Sequence, residues 1–196
     1  MRSAGLARSS VARLRALTGR AGVVEVEGWA AWQGQRDDGA IESEQRVALR
    51  TPVVEFSVTG GERLGRVYWR EVERITGRLV RARERQGSIE LRLLGRGPSL
   101  LRFGPPTIEA TTTLVCCRYP IEGGLLARRP AGEIIFAQVG DGPPVVRSAI
   151  RGFFPSLASR TASPDWTGAL YNRVQSRIHV VVSRRYFARL IAETRE

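Results

Sequence analysis

Apolar and polar residues alternate along much of the chain, which is the pattern of half-buried β-strands. In residues 23–33, Val24 and Val26 alternate with two glutamates. Turns rich in glycine and proline separate six further strand-like segments: 74–83, 88–95, 100–103, 111–119, 133–139 and 145–153. The first two of these segments are predicted to form a hairpin. The pattern predicts about eight to ten short antiparallel strands, with an exposed connection over residues 34–44.

A glycine pair predicts another hairpin in the first half of the chain. Residues 59–62 (Thr-Gly-Gly-Glu) separate the strand-like segments 53–58 and 63–70. Because two consecutive glycines suit a tight turn, we expect these two segments to pair antiparallel. Tyr68 and Trp69 then lie in a strand, on alternate faces.

The period changes in the last part of the chain. After Pro164, Asp165 can cap a helix, and the spacing predicts a long helix over about residues 166–193. Its apolar positions recur every four residues: Leu170, Val174, Ile178, Val182, Tyr186 and Leu190. Three consecutive valines favour β-structure locally, so a strand ending near Ser183 is the alternative.

The first 22 residues carry five arginines and no acidic residue, with leucine and valine at helical spacing. We predict a basic amphipathic helix over residues 1–21, followed by a single β-rich domain over residues 22–196. Three interpretations of this helix stay open: a segment resembling a transit peptide, a helix on a membrane surface, or a helix docked on the domain. We rank docking first, because an apolar stripe on a short helix is usually a packed face.

Together these elements predict an α+β domain, an antiparallel β-meander with an N-terminal amphipathic helix and a long C-terminal helix. Such a meander closes as a small barrel or curls around its helix in a helix-grip. Both solutions can leave a cavity for one small ligand.

Charge is carried by arginine alone, since the 31 basic residues of this 196-residue chain include no lysine and the net charge is +12. Our hypothesis for this bias is a GC-rich coding sequence, and we expect a bacterial protein. Residues 23–62 hold three arginines and eight acidic residues, whereas residues 63–104 hold eleven and four. This contrast favours pairing between neighbouring strands over one uniform polyanion surface.

Sequence motifs for catalysis or metal binding are missing, so we expect no metal and no cofactor, and we lean against an enzyme. Cys116 and Cys117 are adjacent and point to opposite sides of a strand, so we expect small buried side chains and no disulfide. An enzyme whose active site is assembled from dispersed polar residues stays open as an alternative. No apolar run is long enough to cross a membrane, and we expect a cytoplasmic protein, with peripheral membrane association as an option.

Our first functional hypothesis is that the domain binds a small apolar or amphipathic ligand between its sheet and its C-terminal helix. Large aromatic side chains and the single histidine are the candidates for lining this pocket: Trp29, Trp32, Tyr68, Trp69, Tyr119, Phe136 and His179. The competing interpretation of the aromatic residues is that they pack in an ordinary core. The competing interpretation of His179 is that it lies on the flank of the helix and contacts a neighbouring strand.

The second hypothesis is an arginine-rich peripheral module that contacts an anionic membrane or a nucleic acid. Its candidate basic surface comprises Arg8, Arg13, Arg15, Arg78, Arg81, Arg83 and Arg85. We rank nucleic acid lower, because no RNA-binding consensus accompanies the arginines and aromatic residues. The sequence does not indicate an oligomeric state.

Overall fold

The computed structural model describes residues 28–156 and 181–194. The predicted N-terminal helix, with Arg8, Arg13 and Arg15, lies outside the described residues. So do His179 and the larger part of the predicted C-terminal helix.

One antiparallel sheet of nine strands forms the body of the described chain. In chain order the elements are β1 (Gly28–Gln35), β2 (Ile41–Ala48), α1 (Val58–Ile75), β3 (Val80–Arg85), β4 (Ser88–Leu93), β5 (Ser99–Phe103), β6 (Thr107–Ala110), β7 (Leu114–Gly123), β8 (Glu133–Val139) and β9 (Val145–Phe153). Residues 181–193 are helical and are called α2 here. The predicted α+β class with an antiparallel sheet is confirmed.

The strand order across the sheet is β1-β2-β9-β8-β7-β5-β4-β3, and β6 pairs with β7 beside β5. Strands β1 and β3 are the two ends of this order and do not pair with each other. Among residues 28–156 the sheet is therefore open, and the barrel alternative is not confirmed.

Tight turns set several strand limits as the sequence predicts. Strands β8 and β9 coincide with the predicted segments 133–139 and 145–153. The β3–β4 hairpin turns at Gln86 and Gly87, whose φ angles are 52° and 80°. Two consecutive positive φ angles are characteristic of the type I′ turn, which matches the twist of paired strands.

The predicted hairpin of residues 53–58 and 63–70 is wrong, because this region forms the 18-residue helix α1. Ser57 caps the helix, with its side chain accepting a hydrogen bond of 3.1 Å from Gly60 N. A Cβ at Gly61 would lie 2.6 Å from Ile108 Cγ2, so this glycine allows the first turn to approach β6 closely. The glycine pair serves helix packing and not a chain reversal.

Helix α1 buries a broad face against the sheet. Leu64, Val67, Tyr68 and Trp69 are all buried. The spacing of three and four residues is helical, and it was hidden by an accidental alternation with arginine and glutamate. Tyr68 and Trp69 therefore belong to one helix face and not to opposite faces of a strand.

Two smaller predictions also need correction. The exposed connection predicted over residues 34–44 is shorter, since β2 already begins at Ile41. Strand β6 was not predicted. Its four residues are mostly exposed and lack a clear apolar alternation.

The segment before α1 is held by one buried side chain of β8. Gln138 accepts hydrogen bonds from Val53 N at 2.7 Å and Val54 N at 3.1 Å, and it donates one to Val54 O at 2.7 Å. Thr194 Oγ1, after α2, donates to Val53 O at 2.9 Å. These contacts fix the start of α1 and the end of α2 on the same side of the sheet.

Candidate ligand site between the sheet and the C-terminal helix

Six aromatic rings pack together between the sheet and the two helices, and we call them the ring cluster: Tyr68, Trp69, Phe103, Tyr119, Phe136 and Tyr186. The ring centroids of Tyr68 and Phe136 are 4.5 Å apart, and those of Phe136 and Tyr186 are 5.6 Å apart. Trp69 meets Tyr119 edge to face at 5.3 Å. These distances are typical of favourable aromatic pairs.

The structure thus brings four predicted pocket residues together, namely Tyr68, Trp69, Tyr119 and Phe136. Their rings contact one another, and each is at most 6% exposed. They therefore form a packed wall, as the core-packing interpretation expects.

The two predicted tryptophans of β1 lie on opposite faces of the sheet. Trp29 is buried on the inner face, which carries the core, and the Arg184 guanidinium stacks over its ring at 4.6 Å. Trp32 is 44% exposed on the outer face, with the Arg151 guanidinium 5.8 Å from its ring centroid. Trp32 therefore does not line the space between sheet and helices.

The ionisable groups inside the ring cluster are neutral near pH 7. Burial raises the pKa of the Cys117 thiol from its ordinary 9.0 to about 12. Burial likewise raises the pKa values of Tyr68, Tyr119 and Tyr186 above their ordinary range. These groups can donate hydrogen bonds, but a protonated thiol and protonated phenols are poor nucleophiles and bases.

Next to the ring cluster, the inner face of β2 and β9 is polar. We call Ser43, Gln45 and Ser148 the polar strip. Gln45 is the cross-strand partner of Ser148, and Ser148 is in turn the partner of Phe136. All three side chains are buried, with exposures of 5%, 2% and 0%.

Within the described residues, several buried polar atoms in and beside the strip have no hydrogen-bond partner: Ser43 Oγ, Ser148 Oγ, the Tyr186 hydroxyl and Trp29 Nε1. More than about 90% of buried polar groups in proteins are hydrogen-bonded. Each one left without a partner costs about 1–3 kcal/mol. Four such atoms on one side of the sheet therefore mark a place where a partner of another kind is expected.

Helix α2 faces the strip from above. The Tyr186 ring packs on Phe136, which is the direct neighbour of Ser148 in the sheet. Ser183, one turn before Tyr186, is fully buried as well. At the edge of the sheet, Ala31 and Gln33 of β1 are exposed and pair with Gln45 and Ser43. Solvent thus reaches the inner face beside the strip.

Sequence reasoning missed the polar strip. Ser43 fell in a predicted loop, and Gln45 and Ser148 were not singled out. A signal was present, since Ser43, Gln45 and Val47 alternate with charged residues as the inward positions of one strand do. A polar residue at an inward strand position is the feature that could have identified the site.

A groove of about 400 Å³ lies between α1 and α2 on the solvent side, lined by Glu71, Arg74, Arg185, Ala188, Arg189 and Ala192. The buried Glu71 carboxylate accepts a 2.5 Å hydrogen bond from Arg74 Nη1, and Arg189 pairs with Glu193 at 2.8 Å. Two of the three groove arginines are therefore engaged with carboxylates, which weakens the groove as an anion site.

The four described basic positions of the second hypothesis lie at the β3–β4–β5 end of the sheet. Arg81, Arg83 and Arg85 occupy alternate positions of β3, while Val80 and Ala82 on the opposite face of the strand pack on the core. Among the described members of the predicted basic surface, these three share one sheet face. The fourth, Arg78, lies in the turn before β3.

Across residues 28–156 and 181–194, no three His, Cys, Asp or Glu side chains are placed to hold a metal ion. The helices of the same part of the chain are too short or too polar to span a bilayer.

Comparison of the chain with protein-family models, curated proteins and solved structures finds no match. Function is therefore inferred from the geometry of the chain itself.

Proposed function

We propose that this domain binds a small amphipathic molecule between the inner face of its sheet and α2. The polar group of the ligand lies on the polar strip and enters from the exposed β1 edge at Ala31 and Gln33, because the ring cluster is closely packed and leaves no space for it. In this arrangement the sheet holds the helix as a helix-grip does. The supporting observation is the set of buried hydroxyls without partners, Ser43 Oγ, Ser148 Oγ and Tyr186 Oη.

Hydrogen bonds to a ligand would remove the cost of leaving these hydroxyls unpaired. Each net hydrogen bond is worth about 0.5–1.5 kcal/mol, and more when it satisfies a group that is otherwise buried alone. An apolar patch would give no such gain. The strip therefore favours a ligand with at least one hydrogen-bonding group over a pure hydrocarbon.

The chemistry of the strip also limits the charge of that group. Ser43, Gln45 and Ser148 are neutral, and the buried phenol of Tyr186 is neutral because its pKa is raised. A charged group placed there would lose its hydration without gaining an ion pair. We therefore expect a hydroxyl, carbonyl or amide group on an apolar skeleton.

A fluorescence titration with Nile red, a neutral amphipathic dye, tests the proposal. The wild type should bind the dye with a blue-shifted emission. The double variant Ser43→Ala/Ser148→Ala should bind at least about tenfold more weakly, because two hydrogen bonds are lost. Ser88→Ala, on β4 far from the strip, serves as the matched control and should bind like the wild type. An absence of dye binding, or equal affinity in the double variant, would contradict the proposal.

The enzyme alternative stays a prediction without a supporting site. The groups nearest the strip are a thiol and phenols whose pKa values are raised. Acid–base catalysis needs a pKa near the working pH, whereas hydrogen-bonded binding needs only neutral donors and acceptors. The local chemistry therefore favours binding over turnover.

A further inference from the structure

Three turns meet at one end of the β3–β4–β5 region and expose leucine side chains. The turns are residues 76–79, 94–98 and 124–129, and together with Leu93 we call them the leucine tip. Leu94 N donates a 2.7 Å hydrogen bond to Leu79 O, which joins the first two turns. Leu125 N donates to Ser99 O at 3.0 Å, which joins the third turn to the start of β5.

The tip concentrates exposed apolar surface. Leu79 is 58% exposed, Leu94 66% and Leu125 60%, and Leu93 beside them is 39% exposed. Only three other large hydrophobic side chains in the described part of the chain are comparably exposed, and they lie elsewhere: Trp32, Val58 and Val181. Single exposed hydrophobic residues are ordinary, but a group of four in adjacent turns marks an interaction surface.

The backbone of the tip is strained at two residues. Leu94 has φ 51° and Arg78 has φ 66°. Residues other than glycine, asparagine and aspartate rarely adopt this left-handed conformation. Glycine would be relaxed at position 94, yet the chain carries a leucine there and presents it to solvent. Backbone strain of this kind is concentrated at functional sites.

The charge within the three turns is entirely positive, while two neighbouring acidic residues, Glu73 and Glu90, pair with Arg81 at 3.8 Å and with Arg92 at 2.8 Å. The three turns contain Arg78, Arg96, Arg128 and Arg129 and no acidic residue. The outer face of β3 extends this basic surface through Arg81 and Arg83. Four arginines therefore accompany the exposed leucines in these turns, and one of them, Arg129, stacks over the Phe154 ring at 3.5 Å.

We infer that the leucine tip docks on an anionic lipid bilayer, with its leucines in the interfacial region and its arginines on lipid phosphates. Apolar side chains that enter the interface and basic side chains beside them are the two terms that hold peripheral proteins on membranes. Duplex nucleic acid would contact the same arginines through its phosphates, but it offers no apolar interior for exposed leucines. The exposed side chains of the tip are aliphatic, so the bilayer is the better partner.

Vesicle sedimentation with the full chain tests this inference. The wild type should bind vesicles of equimolar phosphatidylglycerol and phosphatidylcholine, and it should bind pure phosphatidylcholine much more weakly. Leu94→Gly removes one leucine while placing glycine where φ is positive, so the fold is retained. We expect this variant and Leu125→Ser each to reduce binding at least about fivefold. Val58→Ser, an exposed apolar position at the start of α1, should bind like the wild type.

A charge variant tests the second part of the surface. Arg96→Gln should weaken binding to the anionic vesicles about fivefold, because one basic residue near the bilayer is lost. Arg46→Gln, on the exposed outer side of β2, is its matched control and should leave binding unchanged. Circular dichroism melts of all variants check that they fold.

Three results would overturn the inference. The first is wild-type protein that stays in the supernatant with anionic vesicles at low salt. The second is tip variants that bind these vesicles as the wild type does, and the third is tight binding to duplex DNA that competes with the vesicles and is insensitive to Leu94→Gly. That result would mean that the arginines bind nucleic acid and that the exposed leucines do not contact a membrane.

Discussion

On β7 and β8 the inner face of the sheet carries Cys117 and Phe136, whereas on β9 and β2 the same cross-strand row continues with Ser148 and Gln45. The first half is covered by aromatic rings from both helices. The second half holds buried hydroxyls without partners. One row of residues in one sheet thus passes from a close-packed core to a polar surface within four strands.

This difference separates two tasks. The ring cluster fills space and stabilises the fold through its ring contacts, although the Tyr186 hydroxyl and Trp69 Nε1 within it also have no hydrogen-bond partner among the described residues. The polar strip lowers the stability of the free protein, because its hydroxyls have lost water without gaining a partner. Natural proteins retain groups that lower their stability mainly at positions that function requires. Substitutions in the two halves should therefore have effects of opposite sign on stability.

The largest effect is expected in the ring cluster. Phe136→Ala removes a fully buried ring that contacts Tyr68, Trp69, Tyr119 and Tyr186, and it should lower the free energy of unfolding by about 3–5 kcal/mol. Urea unfolding measures the loss. Ile135→Ala, on the outer face of the same strand, should cost only about 1 kcal/mol. Equal losses at both positions would show that the rings are not the core of stability.

A smaller loss is expected where α1 touches the ring cluster. A Cβ at Gly65 would lie 2.5 Å from the Tyr119 hydroxyl, so Gly65→Ala should overpack this contact. We expect a net loss of about 2 kcal/mol, since the gain in helix propensity offsets about 1 kcal/mol of the clash. Adding Tyr119→Phe should recover part of the loss. Gly28→Ala, with no atom within 4 Å of its Cβ, should be neutral.

Alkaline pH should lower the free energy of unfolding through the buried Cys117 thiol, which lies on the same inner-face row as Phe136. Below pH 9 the Cys117 thiol is protonated in both states, and stability is constant with respect to this group. As pH rises from 9.0 towards 12, the unfolded chain releases a proton that the folded chain retains, so stability falls. The slope reaches at most about 1.4 kcal/mol per pH unit for one group. Urea unfolding between pH 8 and pH 10 checks it, and in Cys117→Ser the slope should be shallower.

The smallest effect on stability, and the one of opposite sign, is expected in the polar strip. Ser43→Ala/Ser148→Ala removes two buried hydroxyls without partners and should raise the free energy of unfolding of the ligand-free protein by up to about 2 kcal/mol. Thermal unfolding of the ligand-free protein measures it. A clear loss of stability would mean that the hydroxyls are satisfied inside the protein, and the comparison between the two halves would fail.

Much of the sheet was predictable, because turn chemistry acts locally. Strands β8 and β9 follow from alternation between glycine-rich turns, and so does the position of the β3–β4 hairpin. The predicted start of its first strand at residue 74 is wrong, because α1 continues to Ile75 and β3 begins at Val80. Helix α1 was not predictable in this way, since Gly60 and Gly61 resemble a hairpin turn. Their actual reason, close approach to Glu55 and Ile108, is a tertiary contact that no local pattern reveals.

The candidate site was predicted only in part. Four of the predicted pocket residues, Tyr68, Trp69, Tyr119 and Phe136, lie between the sheet and the helices, whereas Trp32 does not, and the lining of a pocket stays a prediction. Large rings also make the best core, and their packing on one another depends on the fold. Ser43 and Ser148 became visible only once strand register placed Ser148 opposite Phe136 and Ser43 opposite Ile150 on the inner face. Arginine clustering was evident from the sequence, whereas the leucine tip required three turns distant in sequence to meet.

Native mass spectrometry of the protein freshly purified from cells tests the central claim most directly. The wild type and Ser88→Ala should each carry a discrete additional mass that denaturation releases, and Ser43→Ala/Ser148→Ala should be recovered without it. Bare wild-type protein, or an additional mass retained equally by the double variant, would contradict a ligand held on the polar strip.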